Sequence, residues 1–204
     1  MSLVALVSGG LDSTLMAVMA REEGITQYPL FIDYGQIFRE REWEACCLVH
    51  NRLGLPQPKR CDLGGFGSLI SSGLTDPAKR VNEDAFLPGR NLLFLLVGAA
   101  YAYQVQADAV GIGLLDERSS IYPDQTQAFL DSAQWVVRQA LATEVCLVAP
   151  LMNLTKADVL RLTESKGICG TYSCHSGGAE PCGQCVSCLE VINAKHLGGE
   201  RHGR

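Results

Sequence analysis

Two short clusters in this chain combine residue types and spacings that can do chemistry. The first is Ser8-Gly9-Gly10-Leu11-Asp12-Ser13. Its paired glycines let backbone N–H groups approach an anion with no Cβ in the way, and Ser8 and Ser13 add hydroxyl donors. Such a turn binds phosphate when it joins a strand to a helix, where backbone donors meet the positive end of the helix dipole. Asp12 is the odd member, because a carboxylate repels phosphate unless it helps hold Mg²⁺ or faces a cation. The plainer alternative is a helix cap built from small residues. Placement after the first apolar run, the paired glycines and the Asp-Ser step favour a nucleotide-phosphate site. No lysine follows the glycines, so this is not the G-x-x-x-x-G-K-[ST] loop of common NTPases.

The second cluster is Cys174, Cys182, Cys185 and Cys188, spaced C-x7-C-x2-C-x2-C. Thiolates this close in sequence can converge on one tetrahedral ion, with Zn–S distances of about 2.3 Å. Four thiolates close the shell, so the metal is expected to be structural and to activate no water. Disulfides, free thiols or a redox-active pair that carries sulfur are the alternatives. His175 is the weaker ligand candidate, being adjacent to Cys174. The chain has nine cysteines, an odd number that argues against a full disulfide framework. Cys46, Cys47, Cys61, Cys146 and Cys169 carry no pattern and are expected to pack in the core.

The elements that must position these clusters alternate between strand and helix. Leu3 to Val7 reads as a buried parallel strand, and Thr14 to Glu23 as a helix stopped by Gly24. Strands are expected at 27–35, 59–63, 109–114 and 145–149. Helices are expected at 39–53, 91–106, 125–142 and 156–166, with Thr155 and Asp158 forming a capping box for the last. Residues 64–87 lack periodicity and read as a long loop able to close over a site. The apolar stretch Leu92 to Tyr103 is too short to span a bilayer and fits a buried core helix. Together these predict an α/β fold, a parallel sheet covered on both faces. Composition shifts at Gly167, which divides the chain into 1–167, the domain that carries the phosphate-type loop, and 168–204, a small cysteine-bearing subdomain and tail.

The 204 residues are 47% hydrophobic, enough for one substantial domain, and the formal net charge is −5. No basic block stands out, which disfavours a nucleic-acid partner and favours a small-molecule substrate. The N-terminus has neither a positively charged region nor a long apolar core, so a cytoplasmic location is expected.

Ser8 to Ser13 resembles the S-G-G-x-D-S loop of the PP-loop ATP pyrophosphatases, a Rossmann-type fold related to the adenine nucleotide alpha hydrolases. That resemblance implies adenylation, with AMP and pyrophosphate as products. Further segments narrow it, in order along the chain: Asp33-Tyr34-Gly35-Gln36, Pro88-Gly89-Arg90-Asn91, Tyr122-Pro123-Asp124, Pro150-Leu151 with Lys156, and Thr171 to Cys174 leading into the knuckle. With them the chain is similar to the 7-cyano-7-deazaguanine synthase family of the queuosine pathway. The resemblance implies that a 7-deazaguanine carboxylate (7-carboxy-7-deazaguanine) and ammonia are converted to the nitrile through adenylated intermediates. It implies ATP, Mg²⁺ and Zn²⁺ as cofactors, a homodimer, and a carbon–nitrogen ligase. Ser8, Gly9, Gly10, Leu11, Asp12 and Ser13 are then the ATP contacts, Asp12, Arg90 and Lys156 the catalytic residues, and the four cysteines the metal ligands. Asp124 is a weaker candidate for orienting the guanine-like edge, and Tyr34 stacks or packs.

The chain departs from the family pattern in two places. Asp116 to Gln125 stands where the family has D-Y-S-G-Y-P-D-C, and Cys188 is followed by Leu189-Glu190 where Leu-Arg is common. Both departures bear on the substrate more than on adenylation. The rival readings are a PP-loop enzyme adenylating another small carboxylate, a tRNA sulfur-transfer enzyme, a GMP- or NAD-type synthetase, and a protein whose loop is vestigial and whose knuckle binds a partner.

Overall fold

The computed structural model describes residues 1–81, 84–178 and 180–199. Five strands, β1 (Ser2–Leu6), β2 (Thr26–Asp33), β3 (Lys59–Asp62), β4 (Ala109–Gly111) and β5 (Cys146–Val148), form one parallel sheet in the order β3-β2-β1-β4-β5. The strand order reverses direction between β1 and β4. In open α/β sheets the crevice outside the carboxyl ends of the strands at such a switch point is where ligands bind.

Among the described residues, seven α-helices accompany the sheet: α1 (Leu11–Glu22), α2 (Arg39–Arg52), α3 (Gly64–Leu69), α4 (Arg90–Val105), α5 (Gln127–Leu141), α6 (Lys156–Ser165) and α7 (Val186–Gly199). The unbroken apolar run of β1 follows from burial on both faces, since successive side chains point to opposite sides. Val4 and Leu6 join Leu30, Ile32, Leu95, Ala99, Val110 and Val137 in one core layer. Leu3, Ala5 and Val7 join Leu15, Met16, Phe31 and Val159 in the other. The capping box of α6 forms as the sequence predicts: Asp158 N–H donates to Thr155 Oγ1, and Thr155 N–H donates back to the Asp158 carboxylate.

Several expectations are corrected. The first part of 64–87 is not loop: Gly64–Leu69 closes into α3, a helix whose three glycines hid it from a propensity reading. The rest of that stretch is turns tied by Ser72, Thr75 and Asp76, and its residues 82 and 83 lie outside the described residues. Helix α4 buries only one face, with Leu92 and Leu96 partly exposed and Tyr103 63% exposed. Helix α7 was not foreseen at all. Cys46 is fully buried, but Cys146 and Cys169 are exposed and take no part in the core.

Candidate active site

The phosphate-type loop lies where β1 hands over to α1. Gly10 is the N-cap of α1 in an extended conformation, and no side chain caps the helix, so its first N–H groups keep their donor capacity for a ligand. The loop is braced from within. Ser8 N–H donates to Ser13 Oγ (3.2 Å), the two hydroxyls meet at 3.2 Å, and Thr14 Oγ1 donates to the Gly10 carbonyl (2.7 Å). From outside, Tyr172 N–H donates to the Gly9 carbonyl at 2.9 Å.

The two glycines have different physical reasons. Gly9 has φ +75°, and a Cβ there would lie 2.7 Å from the backbone nitrogen of Cys46 in α2. Gly10 has ordinary backbone angles, and its nearest obstacle is the Ser8 hydroxyl at 3.2 Å. Backbone conformation and close packing therefore demand the first glycine, while the second keeps the space above the loop open.

Asp12 finds the cation that its presence in an anion site requires. Lys156, the first residue of α6, donates to both carboxylate oxygens at 2.8 Å, across 144 residues of sequence. The lysine side chain is 13% exposed. Two residues singled out separately in the sequence are thus one ion pair. Both line a cavity of about 320 Å³ at the sheet's switch point.

Arg90, which opens α4, reaches the same cavity from another side. Its guanidinium lies 5.8 Å from the ring centres of Tyr34 and Phe94, and its Nε is buried with no hydrogen-bond partner. Tyr34 packs against Phe94 with ring centres 5.4 Å apart. Burial pushes its phenol up to about 12, against the opposing pull of Arg90, so Tyr34 stays neutral. Asp124 does not line the cavity; its backbone carbonyl accepts from Asn91 Nδ2 at 2.9 Å. Its segment contributes Ile121, Tyr122 and Gln125 instead.

Sequence reasoning passed over Glu42 and did not place His175 or Glu190 in this cavity. Glu42 on α2 hydrogen-bonds Gln36 Nε2 (3.0 Å), and desolvation lifts its carboxyl to about 7, against the pull of that bond and of Arg90. His175 presents a buried, unpartnered Nδ1, and desolvation with the nearby Arg90 charge holds its ring down to about 4. Glu190 on α7 lines the cavity beside Lys156 and Asp12 and is held above the usual carboxylate range by partial desolvation. None carries a local motif. The one signal was Glu190, which falls at a departure from the family pattern.

The Sγ atoms of Cys174, Cys182, Cys185 and Cys188 all lie within 4.8 Å of one another. Tetrahedral coordination at about 2.3 Å places sulfurs about 3.8 Å apart, so this spread suits a single ion better than a polynuclear cluster, which holds its thiolates farther apart. Backbone N–H groups of Gln184 and Cys185 point at Cys182 Sγ (3.4 and 3.3 Å) and pull that thiol down to about 6. Those of Cys182 and His175 point at Cys174 and Cys185. Such N–H···S contacts favour the thiolate form that a metal needs. His175 turns away from the cluster and into the cavity. The knuckle also begins α7, which packs along α6 and so against the helix that carries Lys156.

The sequence pattern described as "Queuosine biosynthesis protein QueC" matches residues 2–195. The chain belongs to that family. A relative from Campylobacter concisus (strain 13826), named 7-cyano-7-deazaguanine synthase, is 33% identical over 202 residues, covering 93% of this chain and 91% of the relative. One of the same name from Methanosphaerula palustris is 32% identical over 201 residues, covering 92% and 91%. Among solved structures, the U34-tRNA thiolase NcsA from Methanococcus maripaludis shares the fold with a TM-score of 0.58. At 16% identity it covers 99% of this chain and 67% of its own. The fold class is therefore that of the PP-loop proteins, and among the described residues no helix is long and apolar enough to cross a membrane.

Two outcomes follow from this geometry. Gly9→Ala is expected to cost about 2–4 kcal/mol, from a left-handed backbone angle and a backbone clash, whereas Gly10→Ala stays within about 1 kcal/mol of wild type in a denaturant melt. For Glu42 the folded carboxyl, at about 7, holds its proton more tightly than the unfolded one, at 4.5. Stability therefore falls as pH rises from 4.5 to 7, and the full cost is present above 7. Glu42→Gln keeps an acceptor for Gln36 and removes that cost, so it should be about 1–3 kcal/mol more stable than wild type at pH 8 and equal to it at pH 4.

Proposed function

We propose that this chain converts 7-carboxy-7-deazaguanine and ammonia into 7-cyano-7-deazaguanine, at the expense of ATP and with release of AMP and pyrophosphate. The observation that carries the reading is the cavity in which the Ser8–Ser13 loop, the Asp12–Lys156 pair and Arg90, whose buried Nε has no hydrogen-bond partner, meet. Family membership supports the substrate class.

The chemistry divides between the cavity's two ends. A carboxylate is a poor electrophile, so its oxygen first attacks the α-phosphorus and pyrophosphate departs. Backbone donors of Gly9 to Ser13 and the α1 terminus hold the departing pyrophosphate, and Lys156 offsets the charge that develops there. Ammonia then attacks the activated carbonyl, AMP leaves, and the amide forms. A second ATP activates the amide oxygen, and loss of AMP leaves the nitrile. On this reading Arg90, which lines the cavity, holds the substrate carboxylate or the adenylate oxygen. When bound, Mg²⁺ would neutralise phosphate charge beside Asp12.

A single Zn²⁺ held by Cys174, Cys182, Cys185 and Cys188 is proposed as structural, because four thiolates leave no open position. On this reading the described residues 168–178 and 180–199 belong to a metal-stabilised subdomain on an ATP-binding unit of residues 1–167, and the expected tail at 200–204 lies outside the described residues. The protein is then a cytoplasmic carbon–nitrogen ligase acting on a small molecule, with no nucleic-acid or membrane partner. Exposed Leu92, Leu96, Trp135 and Val136 on α4 and α5 offer an apolar surface for a homodimer.

One observation favours a second reading, an enzyme adenylating a different small carboxylate. Both departures from the family pattern contribute to the cavity wall, through Ile121, Gln125 and Glu190. ATP–pyrophosphate exchange with 7-carboxy-7-deazaguanine, run beside other heterocyclic carboxylates, separates the two. Exchange with the deazaguanine and AMP as the nucleotide product are expected. ADP as product would contradict either reading. Asp12→Ala and Ser13→Ala should abolish exchange, lowering it 100-fold or more. Cys185→Ser should lower bound zinc to well below one per chain and reduce the melting temperature, both read on the purified protein.

A further inference from the structure

We propose that Glu42 is the catalytic proton acceptor for the incoming nitrogen. This rests on the amidation reading above and adds a residue to it. The Asp33-Tyr34-Gly35-Gln36 segment builds the position. Tyr34 N–H donates to Gln36 Oε1 at 2.9 Å, which fixes the amide's orientation. The Gln36 NH₂ must then face Glu42, and it donates to Oε2 at 3.0 Å. Gln36 is itself 4% exposed, so this support is rigid. One carboxylate oxygen is thereby anchored, and the other is left for the cavity that both residues line.

Among the described residues, Glu42 has no salt bridge. The charged and titratable groups that face it are Arg90 from α4, Asp33 and Tyr34 from the end of β2, Tyr172 from the segment before the knuckle, and Cys46 on its own helix. A carboxylate held by an amide alone, away from bulk water, is suited to take and release a proton near neutral pH.

The reaction needs such a group, and the other cavity residues do not supply it. Asp12 is bound at both oxygens by Lys156. Glu190 stands beside that pair, at the end where pyrophosphate would sit. Glu42 lies toward Arg90, where the substrate carboxylate is placed. In the amidation step the nitrogen lone pair of ammonia forms a bond to the carbonyl carbon. The bond from that carbon to the AMP oxygen breaks, and its electron pair leaves with AMP. The surplus proton on nitrogen passes to Glu42 Oε1, which later returns it to water. The same acceptor serves the amide N–H when the second adenylate collapses to the nitrile.

Glu42→Gln tests this. Exchange of pyrophosphate into ATP with the substrate carboxylate needs no nitrogen, whereas amide and nitrile formation from added ammonia does. The inference predicts exchange within about threefold of wild type and amide formation lowered about 100-fold, with Glu42→Asp in between. A melting temperature no lower than that of wild type excludes unfolding as the cause. Amide formation within about threefold of wild type would overturn the role, as would exchange and amide formation falling together. So would Glu190→Gln blocking the nitrogen step while Glu42→Gln leaves it intact. Wild-type protein that exchanges with no carboxylate would overturn the amidation reading itself, and Glu42's role with it.

Discussion

The ion pair between Lys156 and Asp12 is the constraint on which the site depends. A loop that offers bare N–H groups to an anion cannot also hold a free carboxylate, because the two would compete for the same space with opposite charge preferences. Lys156 resolves the conflict by taking both oxygens of Asp12. The pair is partly shielded from water, so breaking it by loss of one partner would leave the other charge unmet. It also fixes topology. The N-terminus of α6, set by its capping box, must come to the edge of β1, and the β4 crossover must pass behind the loop, where Gly113 lies against Asp12 and Ser13.

The four-cysteine knuckle belongs to the same construction. The segment entering it is hydrogen-bonded to the loop through Tyr172 and Gly9. The segment leaving it becomes α7, which packs along α6 and brings Glu190 beside Lys156. Between these ends His175 turns into the cavity. The four-cysteine cluster, which lines no part of the cavity, in this way holds one of its walls in place. The general point is that second-sphere order around the sulfurs and order in the cavity are the same order.

Much of this was legible in the sequence because its signals are local. The loop, the capping box and the C-x2-C spacing each lie within a few residues, and the apolar run of β1 needs only a count of neighbours. The missing pieces are those whose cause is tertiary. Helix α7 has no apolar periodicity strong enough to announce it, and its inner side begins at Cys188, which packs with Cys174 and Cys185 rather than with aliphatic residues. Helix α3 is glycine-rich and forms because Gly35 and Gly67 allow close packing of the backbone against Tyr34 and Gly64. Lys156 and Asp12 were both recognised, yet nothing in a sequence places residues 144 positions apart in contact. Glu42 was invisible for a different reason: a glutamate in the first turn of a helix is ordinarily a solvated partner of the helix dipole, and only the fold turns it inward.

The most direct test of the central claim is a crystal structure with a non-cleavable ATP analogue bearing a methylene bridge between the α- and β-phosphorus. The account predicts the β- and γ-phosphates against the N–H groups of Gly9 to Ser13, with Lys156 between Asp12 and the phosphate chain and the α-phosphorus facing Arg90. A loop left vacant, with the triphosphate lodged elsewhere in the cavity, would contradict it.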